Sequence, residues 1–590
     1  MWSIDVVVFG TVMLLTSALG IWKGKLRKPQ KTTSGELLVG SNVSTFSVAL
    51  SVCSSFLSAV SLLGFPAEVY YRGTMILWFL PMYFVSFPVV AYLFLPPIYE
   101  LKITSLYEYL EKRFSFQSRL IASLLFLLQT LFYMAVALYA PALALSSCFS
   151  IPLVVSIILT AFLSAIYLLL GGARAGIYTS ALQMLLILGS LFTIICASLI
   201  TWTPYEIFER TRDGGRLIFF DFRADPTIRH AFWPLFIGGC TTIFSLFAAN
   251  QLTIQRYMSL PTLKQAQRVV LLNVPMNSII LIMYIVIGLI IFATFYECHP
   301  ALKFKDQIFP TYVNDSLFFI PGLEGVFLAA IYSAGLSTLT ASYSALTAVT
   351  IEDVIKAIIS RTFKNQERLS DQAKCKMVQI FPFVFATMAA LFASLIQFLD
   401  TMILQISFSI FGAAGGASLG IFMIGLFCPW IKSKTAALAG QLSAIVGTVL
   451  IVAGSAYYHV RAVDLPLNCS DEYYYDLNTT RAPINFTTPL VGSVTTDNSD
   501  SIFAKISSIS YHYYGLIGVL LCFAVSHTVQ LVLNVTTKEK EKRVIDLRLL
   551  SPWVRKFVAT PKTVINPSDI PLLSENIELE SPEKTNGKTA

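Results

Sequence analysis

Residues 331–350, IYSAGLSTLTASYSALTAVT, are long enough to cross a bilayer as a helix, yet ten of the twenty carry a hydroxyl group. Spacings of three and four residues keep side chains on one helix face. Ser333, Ser337, Thr340, Ser344 and Thr347 therefore form one stripe, with Ala334, Thr338, Ala341, Ala345 and Ala348 beside it. The stretch SVALSVCSSFLSAVSLLG repeats the device with Ser47, Ser51, Ser54, Ser58 and Ser61, and Ser55 adjoining. The chemistry open to such oxygens is cation binding. A hard ion of sodium size takes several neutral oxygens, and within a membrane these are hydroxyls together with carbonyls freed where a helix unwinds. The plainer reading is packing, because small hydroxyl residues let membrane helices approach closely while bonding back to their own carbonyls.

What the apolar stretches lack narrows the chemistry further. Apart from Asp5 and His527 near the ends of the outermost two, they carry almost no titratable side chain. A proton relay needs such groups inside the bundle. Hydrolysis needs a nucleophile with its base, or a metal cluster, and neither pattern is present in the sequence. An enzyme is therefore not expected.

The elements that must hold these oxygens follow from composition. Of 590 residues, 55% are hydrophobic and 13% charged, about half the charged share of a soluble chain. Thirteen apolar stretches long enough to cross ~30 Å of hydrocarbon lie at about 3–22, 46–66, 75–97, 119–147, 151–170, 177–201, 233–251, 269–294, 322–350, 377–397, 402–428, 436–458 and 512–534. With the N-terminus outside and the C-terminus inside, cytoplasmic segments collect 31 of the 42 Lys and Arg, as the positive-inside rule demands. The net charge of +8 is then a matter of topology and does not call for nucleic acid. Three glycosylation sequons, at Asn468, Asn478 and Asn485, fall in a loop that the same rule places outside.

Seven of the nine cysteines lie in helices or on the cytoplasmic side, leaving Cys298 and Cys469 as an extracellular pair able to form a disulfide. The first stretch lacks a basic leader and reads as a retained signal-anchor crossing. The chain divides into a first helix and linker (1–45), a first repeat with the start of a second (46–251), the rest of the second repeat (252–428), two further helices with the glycosylated loop (429–534) and a polar cytoplasmic tail (535–590), expected to be disordered. The seventh stretch opens FWPLFIGGCTT, where Pro234 and Gly238-Gly239 can interrupt a helix as the Ser-rich middle of the second can. If stretches 2–6 and 7–11 are inverted five-helix repeats, these interruptions correspond, which is the best sequence pointer to a transport site.

At this point the residues resemble the sodium:solute symporter family, in its branch of multivitamin, monocarboxylate and iodide transporters. The resemblance runs from about residue 30 to 535 and is carried by ITSLYEYLEKRF (103–114), YAPAL (139–143), GGARAGIYTSALQ (171–183), NQLTIQRYMS (250–259), SAGLSTLTASYSALTAVTIEDVI (333–355) and LGIFMIGLFCP (419–429). It implies an all-α membrane protein of thirteen transmembrane helices, with a core of two inverted five-helix repeats (the LeuT-like fold) and alternating access. It implies a sodium site with hydroxyl ligands on Ser337 and Thr338, a carbonyl ligand on Ala334 and backbone ligands near Ser54 and Leu57. A second sodium site would involve Ser58 and Tyr139. Substrate would lie near Phe56, Ser61, Phe79, Leu80, Tyr83, Trp233, Leu404 and Phe408, and for each of these ordinary bundle packing is the alternative.

Two departures bear on function. Ser180 stands in YTSALQ where the family pattern carries an acid, which weakens attraction for sodium and keeps a sodium-independent uniporter or a non-transporting sensor as the alternative. Ser61 and Tyr83 replace the Gln common in the iodide carriers and argue against iodide. Arg72, beside Glu68, reads as a paired or solvated charge at the outer mouth. The expected function is sodium-coupled import of a small organic anion, a monocarboxylate or a carboxylate vitamin such as biotin or pantothenate, by a multi-pass plasma-membrane symporter.

Overall fold

The structure is a computed structural model, and it describes residues 3–25, 43–149, 151–362, 370–399, 401–458, 460–462, 464–467, 494–495, 501–536 and 545–558. Asn468, Asn478, Asn485, Cys469 and nearly all of the tail lie outside the described residues.

The apolar stretches fold as helices because a backbone in hydrocarbon must satisfy its own hydrogen bonds. In chain order they are α1 (Ser3–Lys25), α2 (Thr45–Phe56), α3 (Ala59–Arg72), α4 (Phe79–Val89), α5 (Phe116–Phe149), α6 (Leu153–Thr201), α7 (Gly239–Ala248) and α8 (Gln251–Met258). There follow α9 (Leu263–Thr294), α10 (Leu323–Val349), α11 (Asp371–Ile396), α12 (Ile403–Phe427), α13 (Lys434–Tyr457) and α14 (Tyr514–Thr536). Strand is confined, among the described residues, to a pair of two-residue segments in which Arg461 faces Thr495. Large apolar side chains such as Leu128, Leu391 and Phe398 remain exposed on the outside of the bundle, as expected where the solvent is lipid.

Among the described residues, nine helices are long and apolar enough to cross a membrane, or eleven if each of two bent pairs counts as one span. Thirteen crossings are not what these lengths establish. The first and fifth expected spans are represented, among the described residues, by the shorter apolar stretches Ile4–Thr16 and Leu153–Leu169. Residues Leu153–Thr201 are helical throughout, where the sequence suggests two separate spans. A straight helix would hold residues 167 and 179 about 18 Å apart, yet the Tyr167 side chain reaches Thr179. The helix is therefore bent between these two residues, and it meets α10 through Thr160 to Tyr332 and Ser164 to Tyr343.

The two bent pairs are α2–α3, kinked by 59°, and the Pro234–Ala248 segment with α8, kinked by 50°. The first falls in the Ser-rich middle of the second stretch, as the sequence suggests; the second falls at Ala249 and Asn250 and not at Pro234 and Gly238-Gly239, which stay helical. At the first, the Ser58 hydroxyl accepts from the Val60 amide and caps α3, while Leu57 leaves the helical conformation with ψ of 69°. Asn250 caps α8 in the same way through the Leu252 amide.

Helix α10 runs through the middle of the bundle and is tied at both ends. Asp5 of α1, the stray acid of the first stretch, accepts from the amides of Gly322 (2.9 Å) and Gly325 (3.3 Å) and so satisfies donors that a helix N-terminus leaves open. At the other end Asp353, its side chain fully buried, takes hydrogen bonds from Ser105 Oγ and from Arg119, whose Nη2 lies 2.5 Å from Oδ1. Arg119 also holds Glu111 and the Glu352 carbonyl. On α12 and α14, a Cβ added at Gly416 would sit 2.5 Å from the Gly515 carbonyl oxygen, so glycine is what lets these two helices touch.

Candidate functional site

The α2–α3 break frees carbonyls at the end of α2, and α10 supplies their partners. Ser337 Oγ donates to the Ser54 carbonyl at 2.8 Å and to the Ala334 carbonyl at 3.0 Å. Thr338 Oγ1 lies 3.1 Å from both the Ser55 and Ala334 carbonyls. Each hydroxyl has one hydrogen and two acceptors, so neither set of carbonyls is fully satisfied. Ser54 Oγ, also buried, has no hydrogen-bond partner among the described residues. Five uncharged oxygens, the carbonyls of Ser54, Ser55 and Ala334 and the hydroxyls of Ser337 and Thr338, thus meet at one buried point. Leu57 sits three residues on, at the break itself.

The rest of the two stripes does other work. Thr340 bonds back to its own helix at Leu336, Ser333 reaches Met13 Sδ on α1, and Ser344 accepts from Gln255. On α2, Ser51 accepts from Arg256. On α3, Ser61 donates to the Ser58 carbonyl. Packing and self-capping explain these positions.

Beyond the break opens a cavity of about 710 Å³, walled by Phe56, Leu57, Ser58, Ser61, Phe79, Tyr83, Leu404 and Phe408 among others. Of the residues expected to line it, Leu80 and Trp233 do not, nor does Tyr139, expected beside Ser58 at a second sodium site. Leu80 is one residue from Phe79, a rotation of about 100°, and is partly buried off the cavity wall. Trp233 is 39% exposed and is held at the surface by its indole bond to the Phe222 carbonyl. Tyr139 is buried against Phe304, and the tyrosine that reaches Ser58 is Tyr133, two turns earlier on α5. Sequence reading missed Tyr133, Thr242, Asn277, Ser407 and Phe411, all on the wall. For Asn277 a signal was available, because Asn273 and Asn277 are the amides of an otherwise apolar stretch, four residues apart. They bond to each other through Asn277 Nδ2 and the Asn273 carbonyl at 2.7 Å.

Rings close one end of the cavity. His512 lies tilted against Phe408 (5.2 Å between centroids) and edge-on to Phe79 (5.9 Å), and Phe65 lies edge-on to both phenylalanines. Next to this roof is a charged cluster. Glu68 pairs with Arg72, His230 lies 2.8 Å from Glu68, and Lys305 pairs with Asp464. Arg72 is thus paired and buried, not a solvated charge. Arg229 donates to Gln405 and to the Val460 carbonyl.

Asp306, between two helices in this cluster, accepts from the Ile403 amide at 3.0 Å. Burial pushes its carboxyl up to about 7, with Glu68 adding to the rise and the Ile403 amide, Arg72 and Lys305 opposing it. An acid so raised binds its proton more tightly folded than unfolded, so its stabilising effect is full at low pH and is lost as pH rises toward 7. Asp306→Asn imitates the protonated form. The unfolding free energy of the Asn variant minus that of the parent, followed by thermal melting, is expected to grow between pH 5 and 8 by roughly 3 kcal/mol. A difference independent of pH across that window would reject the assignment.

Interrupted membrane helices whose freed carbonyls meet hydroxyls beside a walled cavity define a secondary transporter. The chain belongs to the sodium:solute symporter family, whose sequence model matches residues 37–444. It is 34% identical over 569 residues to sodium-coupled monocarboxylate transporter 2 of Mus musculus, covering 94% of this chain and 88% of that one. It is 30% identical over 537 residues to the sodium/iodide cotransporter of Homo sapiens, covering 88% and 81%. Among solved structures, an outward-open, substrate-bound sodium-coupled sialic acid symporter superposes with a TM-score of 0.71 at 23% identity, over 90% of this chain and 98% of that one. The last similarity concerns fold.

Proposed function

We propose that the chain is a sodium-driven symporter that imports a small organic anion, a monocarboxylate or a carboxylate vitamin, across the plasma membrane. The observation that carries this reading is the convergence of Ser337 and Thr338 on the Ser54, Ser55 and Ala334 carbonyls at the α2–α3 break. The donor set is all hard oxygen and uncharged, which suits sodium. When the ion binds, the two hydroxyl hydrogens turn away and lone pairs face it, while the carbonyls exchange a hydrogen bond for the cation. Ser54 Oγ and the Leu57 backbone stand close by to complete the shell. Ser58 with Tyr133, at the cavity end of the break, offers a second and weaker place.

The cavity supports an anionic cargo by what its wall holds. Apolar rings are joined by hydroxyls and amides from Ser61, Tyr133, Thr242, Asn277 and Ser407, and no Lys, Arg or His lies among its lining residues. A carboxylate entering alone would be desolvated without a counter-charge, which is costly. A cation bound one turn away on α2 offsets that cost. Sodium then raises cargo affinity and, by linkage, cargo raises sodium affinity by the same factor. That the relatives are named for sodium-coupled carriage of monocarboxylate and iodide agrees with an anion. The reading includes inverted repeats that rock about the site, an outside N-terminus and an inside C-terminus.

Uptake of labelled carboxylates into cells expressing the full chain, with sodium or choline outside, tests the reading. Uptake is expected to fall at least tenfold in choline. Equal uptake in both would make it a uniporter, and binding without uptake a sensor. Either result would overturn symport.

A further inference from the structure

Along α10, one to two turns beyond Ser337 toward Val349, a second cavity of about 400 Å³ lies between α6, α8 and α10. Its polar lining is Ser180, Gln255, Arg256, Thr340 and Ser344. Arg256 falls between the seventh and eighth apolar stretches of the sequence, and the structure buries it to 8% exposure on α8. Its Nε donates to Ser51 Oγ at 3.1 Å and its Nη1 to the Leu252 carbonyl at 3.2 Å, both neutral acceptors. No carboxylate pairs with it among the described residues, and Nη2 has no protein acceptor there. A buried guanidinium without a counter-charge is among the costliest arrangements a protein can hold, and arginine does not shed its proton to escape it.

The rest of the lining offers donors. Ser344 accepts from Gln255 Nε2 at 3.2 Å, which leaves its own hydrogen to point elsewhere. Ser180 bears a hydroxyl with no partner among the described residues and no charge. A cation in this space would face the guanidinium directly, so the cavity does not suit a second sodium.

We propose that this cavity binds a small monovalent anion, held by Arg256 with the Ser180 and Ser344 hydroxyls. Two sources share that chemistry, a halide from solution and a short carboxylate on its way through the protein. The site is separate from the oxygen cluster at Ser337 and Thr338, so its failure would leave the symport reading intact.

The test is thermal unfolding of the purified full chain in sodium chloride, sodium acetate or sodium gluconate at fixed sodium and ionic strength. Chloride or acetate is expected to raise the melting temperature saturably, on the order of 2 °C or more, relative to bulky gluconate. A rise with chloride assigns a halide, and a rise with acetate alone assigns the carboxylate. Ser180→Asp places a tethered carboxylate in the same cavity and is expected to abolish the response, with stability in gluconate at least equal to the parent's. Arg256→Gln is expected to abolish it too, and if that variant does not fold, the Ser180 variant decides. Equal melting in all three salts, or a full anion response in Ser180→Asp, would overturn the proposal.

Discussion

Alanine at both Ser337 and Thr338 is expected to raise the sodium concentration for half-maximal uptake by about 100-fold. Each hydroxyl is the donor for freed carbonyls at the end of α2 and, with the ion present, a ligand. Losing a partner at a buried polar group costs about 1–3 kcal/mol, so two losses together come to roughly 3 kcal/mol or about two decades of affinity. Thr340→Ala is the control, because that hydroxyl bonds within α10 to Leu336 and Ser337 and its removal is expected to change sodium dependence less than threefold. Sodium-dependent uptake measured across a concentration series separates the two. An unaltered sodium requirement in the double variant, with cargo still carried, would remove the ion from this place.

Arg119→Ala is expected to be the most damaging single change to folding, at about 3–5 kcal/mol. Asp353 is wholly buried, and Arg119 is its ionic partner as well as the link to Glu111 and the Glu352 carbonyl. Removing the guanidinium leaves a carboxylate in the protein interior with Ser105 as its remaining donor. Yield of folded protein and melting temperature report the loss. Adding Asp353→Asn to Arg119→Ala is expected to restore part of it, since the stranded charge is then gone, and the double-mutant cycle should give a coupling above 1 kcal/mol. If the double variant is less stable than the single one, charge pairing is not what holds this end of α10.

Much of this was legible in the sequence for a simple reason. A helical period of 3.6 turns residue spacing directly into faces, so the stripes on α2 and α10 could be drawn without coordinates, while their meeting at one site was what the family resemblance implied. What the period does not reveal is which carbonyl each hydroxyl finds. Ser333, Thr340 and Ser344 share the stripe of Ser337 yet bond to a thioether, their own helix and a glutamine. Tyr139 and Tyr133 illustrate the same limit. Six residues rotate a helix by about 240°, so Tyr133 and Tyr139 point from different faces of α5. Arg256 was hidden for another reason. A lone arginine near other basic residues counts as a loop charge until tertiary structure buries it, and α8, eight residues long, is too short to announce itself by hydropathy.

The ties at Asp5 and Asp353 make α10 a fixed post, and the kink at Leu57 beside it is where the backbone departs from the helix. Helix α3 hangs from that kink as a lever fourteen residues long, roughly 21 Å. A swing of only 5° at the pivot carries the Arg72 tip through about 2 Å, farther than a hydrogen bond can stretch. Glu68 and Arg72 ride on that arm, and His230 does not. If the proposed ion shifts that pivot, the contact between Glu68 and His230 would part at a distance from it, with stiffness of the arm as the only messenger.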